Sequence, residues 1–363
     1  MEGKIIDSIN KLFNNNNLSD NYIFIYTPPK VGSTTLVTSL RVCLGKTYNT
    51  IHIHDEIMLQ VLTGIADVKI NDLIHYLSNI GKNVYVIDVY RTPVERKMSE
   101  FFEKISPYHF NNTEENIQHY SIKRISDRFN KLFPHIENGD HYFDKFNIPQ
   151  PIPFDFNKNY TVQTINNIKY VKLRLCDSNL WSNILSNIFT TEIIIIDDYK
   201  TEDKGLGELY KRFKNEYTLP KNFIEIIKND KYLKFYYNET ERNNYINFWN
   251  YRLCNEVIPY NYDEYKFYMN LCLENQYIND IQINHYIDNG CLCKYCKEKR
   301  REIFFKAKAG EKKFDKIIHV EVINEANSDK INKINTKLKQ LINNQISKLK
   351  FKPKQFKLNV SNK

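Results

Sequence analysis

Tyr22-Ile23-Phe24-Ile25-Tyr26-Thr27-Pro28-Pro29-Lys30-Val31-Gly32-Ser33-Thr34-Thr35-Leu36 is the stretch on which the fold turns. Tyr22 to Thr27 is a short apolar and aromatic run closed by two prolines, the pattern of a buried strand. From Thr34 to Cys43 the residues Leu36, Val37, Leu40 and Val42 fall at helical spacing. Between the two runs lies a loop with one lysine, one glycine and three hydroxyls. N–H groups at a helix start have no partner inside the helix and carry partial positive charge. The loop therefore reads as an anion cradle. Gly32 permits a close backbone approach, and Ser33, Thr34 and Thr35 can donate from their hydroxyls.

A second strand-to-helix junction follows at Asp88-Val89-Tyr90-Arg91-Thr92-Pro93-Val94-Glu95-Arg96-Lys97-Met98-Ser99. Asn83 to Tyr90 has the near-continuous apolar character of a strand buried on both faces. Pro93 suits the first turn of a helix, with Thr92 as its N-cap. Arg91 ends the strand and Ser99 stands eight residues on. Ile51-His52-Ile53-His54 alternates strictly, as at a strand end with both imidazoles on one face. Asn71 to Ile80 reads as a helix capped by Gly81. Tyr160–Thr164 and Tyr170–Leu173 flank Asn166-Asn167 as a hairpin. Glu114 to Phe133 reads as one longer helix, and Asp177 to Phe189 and Asn238 to Val257 as further ones. Glu192 to Ile196 reads as another buried strand ending at Asp197-Asp198. Alternating strands and helices predict an α/β fold, a parallel sheet flanked by helices, with a mostly helical C-terminal half.

The 363 residues carry a formal charge of +9. It is concentrated in one place: residues 297–363 hold 19 Lys and Arg against 7 Asp and Glu, a net of +12. The preceding 296 residues hold 33 basic against 36 acidic residues, a net of −3. The expected organisation is an α/β domain over 1–270, a cysteine-containing extension over 271–328 and a basic tail over 329–363. Such a tail is either a weak polyanion contact or a solvated extension. No apolar run approaches the ~18 residues that span a bilayer, and the opening Met1-Glu2-Gly3-Lys4 has no secretory pattern. Seven scattered cysteines do not form a disulfide framework, which fits a reducing, cytoplasmic compartment. Cys291, Cys293 and Cys296 have zinc-ligand spacing, which His285 or Cys272 could complete, or they are free thiols.

The first loop is not a Walker A loop. That motif places its lysine after a second glycine, whereas Lys30 precedes Gly32. Pro29-Lys30-Val31-Gly32-Ser33-Thr34 instead resembles the 5′-phosphosulfate loop of sulfotransferases that use 3′-phosphoadenosine-5′-phosphosulfate (PAPS). Arg91 and Ser99, in the run Arg91-x-Pro93-x-x-Arg96, are similar to that family's 3′-phosphate motif. The two motifs are about sixty residues apart, as in the family, and the resemblance covers roughly residues 20 to 200. It is close to capsular polysaccharide and other carbohydrate sulfotransferases, whose loop often reads VGSTT.

The resemblance implies a P-loop-type fold, PAPS as sulfuryl donor, no metal for transfer and a carbohydrate hydroxyl or amine as acceptor. It implies that Lys30 stabilises charge on the bridging oxygen of the leaving nucleotide and that Gly32, Ser33, Thr34 and Thr35 hold the 5′-phosphate. It further implies that Arg91 and Ser99 hold the 3′-phosphate. The acceptor must lose a proton, and His54 or His52 is the expected base, with Glu56 as an outside choice. Both histidines have the alternative of bonding within the sheet margin. Tyr142, Phe143, Phe146 and Phe154 either stack on sugar faces or fill a core. Asp197-Asp198 either caps a strand or imitates a Walker B end. The latter would make the chain an ATP–Mg²⁺-dependent small-molecule kinase. A tail-driven, non-enzymatic polyanion binder is the third possibility.

Overall fold

The computed structural model describes residues 1–13, 20–110, 113–136, 139–196 and 205–274. Its centre is a five-stranded sheet of order β2-β1-β3-β5-β4. The strands are β1 Asn21–Tyr26, β2 Asn49–Ile53, β3 Asn83–Tyr90, β4 Tyr160–Ile165 and β5 Ile168–Arg174. β1, β2, β3 and β5 run parallel, and β4 closes one edge antiparallel to β5. This is an α/β fold with a mostly parallel sheet. The turn between β4 and β5 is the expected one: Asn166 and Asn167 both take positive φ, 48° and 65°, as a two-residue hairpin of right-handed twist requires.

Helices cover both faces because the apolar residues of β1 and β3 alternate between them. On one face Tyr22, Phe24, Val84 and Val86 meet α1 (Glu2–Phe13), α3 (Glu56–Thr63) and α4 (Ile70–Asn79). On the other, Ile23, Ile25, Ile87 and Val89 meet α2 (Ser33–Leu44) and α9 (Trp181–Phe189). A separate aromatic-rich core joins α5 (Pro93–Glu103), α7 (Ile122–Leu132) and α10 (Gly207–Glu216) to the short helices after them. Among these, α12 covers Lys231–Tyr236 and α13 covers Glu239–Asn250. Asn238 caps α13 in a reciprocal capping box with Glu241.

Several expectations are corrected. The helix expected over Glu114 to Phe133 is broken into α6 (Glu114–Ile117) and α7. Ser121 restarts it by accepting from the N–H of Arg124, a cap that competes with continuous helix. Likewise, a 3₁₀ segment over Leu175–Leu180 precedes α9, so that helix starts at Trp181 rather than Asp177. The helix expected to run on to Val257 stops at Asn250, and Leu253–Cys254 forms a short strand. Residues 192–196 are not a strand. The N–H of Ile193 bonds to Ser186 Oγ and that of Ile196 to Ser39 Oγ, both at 2.9 Å, so helix side chains replace a neighbouring strand. Ile194 is 61% exposed, which a buried strand would not allow.

No helix among the described residues is long and apolar enough to cross a membrane. Asp197-Asp198, the cysteine cluster at Cys291, Cys293 and Cys296, and the basic tail lie outside the described residues.

Candidate functional site

At the C-terminal end of β1 the chain turns through Thr27–Gly32 into α2. The turn needs two left-handed residues, Lys30 at φ 66° and Gly32 at φ 87°. Glycine adopts this region freely, whereas lysine does so at a cost, so Lys30 sits in a strained conformation held by its surroundings. Gly32 has a second reason to be glycine. A Cβ there would lie 2.9 Å from Leu175 Cδ1 and 3.1 Å from Trp181 Cη2. The side of Gly32 that a Cβ would occupy is thus filled by two side chains, and beyond it lies the N-terminus of α2. That end has no side-chain cap. Ser33 is buried there, and Thr34 and Thr35 are half-buried.

Both polar ends of Lys30 are engaged. Its ammonium lies 2.6 Å from Glu103 Oε2, at the last residue of α5, and the two side chains are 11% and 14% exposed. Its carbonyl accepts from Arg91 Nη1 at 2.9 Å. The loops after β1 and β3 therefore touch, and Lys30 and Arg91 stand on one end of the sheet. Arg91 also donates to the Tyr210 hydroxyl at 3.4 Å. Among the described residues it has no carboxylate partner.

Ser99 lies inside α5 and is 1% exposed. The structure therefore places it in the wall behind the junction and not on an open face. One turn earlier, Arg96 is 3% exposed and donates to the Gly139 carbonyl at 2.5 Å. It too has no carboxylate partner among the described residues, and its Nε is buried without a hydrogen bond. A guanidinium so enclosed is costly unless an anion approaches it.

At the end of β2, His52 and His54 lie on one side as expected, their rings 4.4 Å apart and nearly perpendicular. Nδ1 of His54 is 2.6 Å from the Thr27 carbonyl, at the start of the β1–α2 loop. A carbonyl only accepts, so Nδ1 carries the hydrogen and the neutral ring has its lone pair on Nε2. His54 is 6% exposed. Its own carbonyl accepts from His141 Nε2 at 2.6 Å. Burial pushes the His141 imidazole down to about 4, so it is neutral near pH 7.

Beneath this face is a charge cluster that the sequence reading missed. Thr27 Oγ1 donates to Asp88 Oδ1 at 2.7 Å. Asp88 Oδ2 accepts from Lys172 Nζ at 2.6 Å and from the Tyr142 N–H at 2.9 Å. Lys172 also contacts Asp140, whose other oxygen accepts from the Tyr236 hydroxyl at 2.8 Å. All three charged side chains are buried. Burial raises the Asp140 carboxyl above its usual range, against the pull of Lys172. A sequence signal existed: Asp88 and Lys172 are charges inside otherwise apolar central strands, and such charges rarely occur unpaired.

Of the two alternatives for the aromatic residues, core filling is the one found for three of the four. Tyr142, Phe146 and Phe154 are core residues, buried against the sheet or the α5 cluster, and so do not present faces to a sugar. Phe143 is half-buried and packs on Phe235. Among the described residues no cluster of three or more His, Cys, Asp or Glu side chains is arranged to hold a metal. Comparison with family models, curated proteins and solved structures yields no match to this chain.

Proposed function

We propose that this protein is a cytoplasmic sulfotransferase of P-loop architecture that moves a sulfuryl group from PAPS to a hydroxyl or amine, with a carbohydrate as acceptor. One observation carries this reading. Arg91 reaches the carbonyl of Lys30, so the two anion-favouring strand-to-helix junctions lie side by side at one end of the sheet. A nucleotide with phosphates at both ends suits two neighbouring cationic pockets, whereas a single-ended ligand would need only one. Among the described residues no carboxylate pairs with Arg91, which fits a guanidinium reserved for an external anion.

In this reading the N-terminus of α2, with Gly32, Ser33, Thr34 and Thr35, receives the 5′-phosphate. Lys30 places its ammonium at the bridging oxygen, where negative charge grows as the sulfur–oxygen bond breaks. Arg91 holds the 3′-phosphate. Ser99 joins it only if α5 shifts enough to uncover its hydroxyl, because it is 1% exposed. His54 is preferred to His52 as base: the Thr27 carbonyl orients its ring and places the hydrogen on Nδ1, which leaves Nε2 as the basic nitrogen.

The test is a thermal-shift comparison on the full chain. Adenosine 3′,5′-bisphosphate raises the melting temperature and ATP–Mg²⁺ does not, because a ligand that binds only the folded state stabilises it by mass action. The reverse pattern points to a kinase. No shift with either removes the donor assignment.

A further inference from the structure

We propose that Glu103 is a built-in counter-anion for the loop lysine, a specificity-determining residue that an incoming ligand must displace. The inference rests on reading the β1–α2 loop as the donor site. Lys30 is not left open for a ligand. Its ammonium is already paired at 2.6 Å with the Glu103 carboxylate, and the pair is largely shielded from water. A phosphate or phosphosulfate oxygen that takes Lys30 has to replace that carboxylate.

The placement of Glu103 argues against an ordinary surface ion pair. It is the final residue of α5. There the helix presents its partially negative end, which disfavours a carboxylate. Lys30 offsets this unfavourable position. On the other side of the pair, Lys30 holds a left-handed backbone that lysine does not favour. Each partner therefore sits where its own chain segment would not choose to put it, and the contact between them holds both.

The consequence is a charge threshold. A ligand group that carries no more negative charge than the carboxylate gains nothing by replacing it. Singly charged or neutral groups are rejected, and multiply charged phosphoryl or phosphosulfuryl groups are admitted. Glu103 also lies one turn beyond Ser99 on α5, so the two share a helix face. Release of the carboxylate thus acts on the turn that encloses the Ser99 hydroxyl.

Calorimetric titration of the full chain with adenosine 3′,5′-bisphosphate and, separately, inorganic pyrophosphate tests this. Glu103→Gln keeps the shape and removes the charge. It is expected to bind the bisphosphate about tenfold more tightly than wild type, within the usual range of coupling between sites. Its melting temperature without ligand falls, because Lys30 loses its partner. Glu208→Gln removes a carboxylate from an exposed pair with Lys211 and leaves the affinity unchanged. If Glu103→Gln does not fold, Glu103→Asp withdraws the carboxylate by one methylene and gives a smaller gain in the same direction.

Unchanged or weaker binding by a folded Glu103 variant overturns the proposal. If wild type ignores the bisphosphate, the donor reading fails by itself. The counter-anion role is then judged on pyrophosphate, which Glu103→Gln must bind more tightly than wild type.

Discussion

Lys172 and Lys30 belong to the same end of one sheet and are surrounded in opposite ways. Lys172 is fully buried, meets two carboxylates and lies 4.5 Å from the centre of the Tyr236 ring. Lys30 keeps 11% of its side chain exposed, meets one carboxylate at the rim and bends its backbone into a left-handed turn. The first lysine is committed to the fold. It ties β5 to β3 and to the segment around Asp140. The second is held at the rim by its ion pair with Glu103. The difference is between a cation enclosed by two carboxylates and one paired at the rim, so the two should respond differently to substitution.

The largest expected effect tests the first half of that comparison. Lys172→Met leaves Asp88 and Asp140 buried without their cation. Breaking a buried pair by removing one partner costs roughly 3–5 kcal/mol. Urea denaturation should show a loss of about this size, with the denaturant slope unchanged if only stability has moved. A loss below about 1 kcal/mol would mean that water or a rearranged neighbour already serves Asp88, and the cluster would not be the tie described.

Much of the fold was legible because it is local. The strand–loop–helix unit at Tyr22–Leu36, the helix opened by Pro93 and the hairpin at Asn166-Asn167 depend on residues within a few positions of one another. The misreadings share a long-range cause. Ile193 to Ile196 has the composition of a buried strand, but N–H groups of Ile193, Ile194 and Ile196 go to Ser186, Cys43 and Ser39 side chains on α9 and α2, 157 positions away in the case of Ser39. Glu103 is one more acidic residue at a helix end until the loop returns to it from more than 70 positions earlier. Asp140 sits in a proline- and aromatic-rich excursion whose sequence does not reveal that it will meet Lys172. Lys30, Arg91, His52 and His54 could be nominated from their place at strand ends. Their partners could not, since a partner is a property of the folded chain.

The next effect concerns pH, and it asks whether the histidine layer above the cluster is locked into the fold or reaches solvent at the rim. Burial lowers the folded pKa of His141 from its ordinary 6.5 to about 4. As pH falls, the unfolded chain takes up the proton first. Stability is therefore full above about 6.5 and drains away as pH drops to about 4, by up to about 3 kcal/mol. His109, pushed down to about 3 by its own burial, adds a loss of the same sign at slightly lower pH. His141→Gln retains a donor for the His54 carbonyl and cannot titrate, so its stability–pH curve should be visibly flatter between 6.5 and 4. Superimposable curves would show that His141 reaches solvent on protonation without unfolding.

Arg91→Ala tests the second half. Among the described residues Arg91 bonds to a carbonyl and a phenol and to no carboxylate, so its removal should cost little stability. Its loss should instead weaken adenosine 3′,5′-bisphosphate by roughly 30-fold, about 2 kcal/mol, the value of a hydrogen bond to a charged group. Adenosine 5′-monophosphate, lacking the 3′ group, should bind wild type and variant alike. Equal losses for both nucleotides would move Arg91 from the 3′ end of the ligand to the shared 5′ end.

The smallest effect on stability is expected at Lys30, and it separates backbone from side chain. Lys30→Gly removes the ion pair with Glu103 but also relieves the left-handed strain, since glycine takes φ near +66° freely. A largely shielded ion pair at the rim and a strained residue are each worth on the order of 1–2 kcal/mol, so the two terms nearly cancel. Lys30→Ala loses the pair and keeps the strain, and should be less stable than Lys30→Gly by about 1 kcal/mol. Both should lose turnover equally if the ammonium alone stabilises the leaving group. Were Lys30→Gly as destabilising as Lys172→Met, the rim lysine would be a structural tie like the buried one. Its pairing with Glu103 would then be a permanent part of the fold, and no ligand of ordinary affinity could displace it.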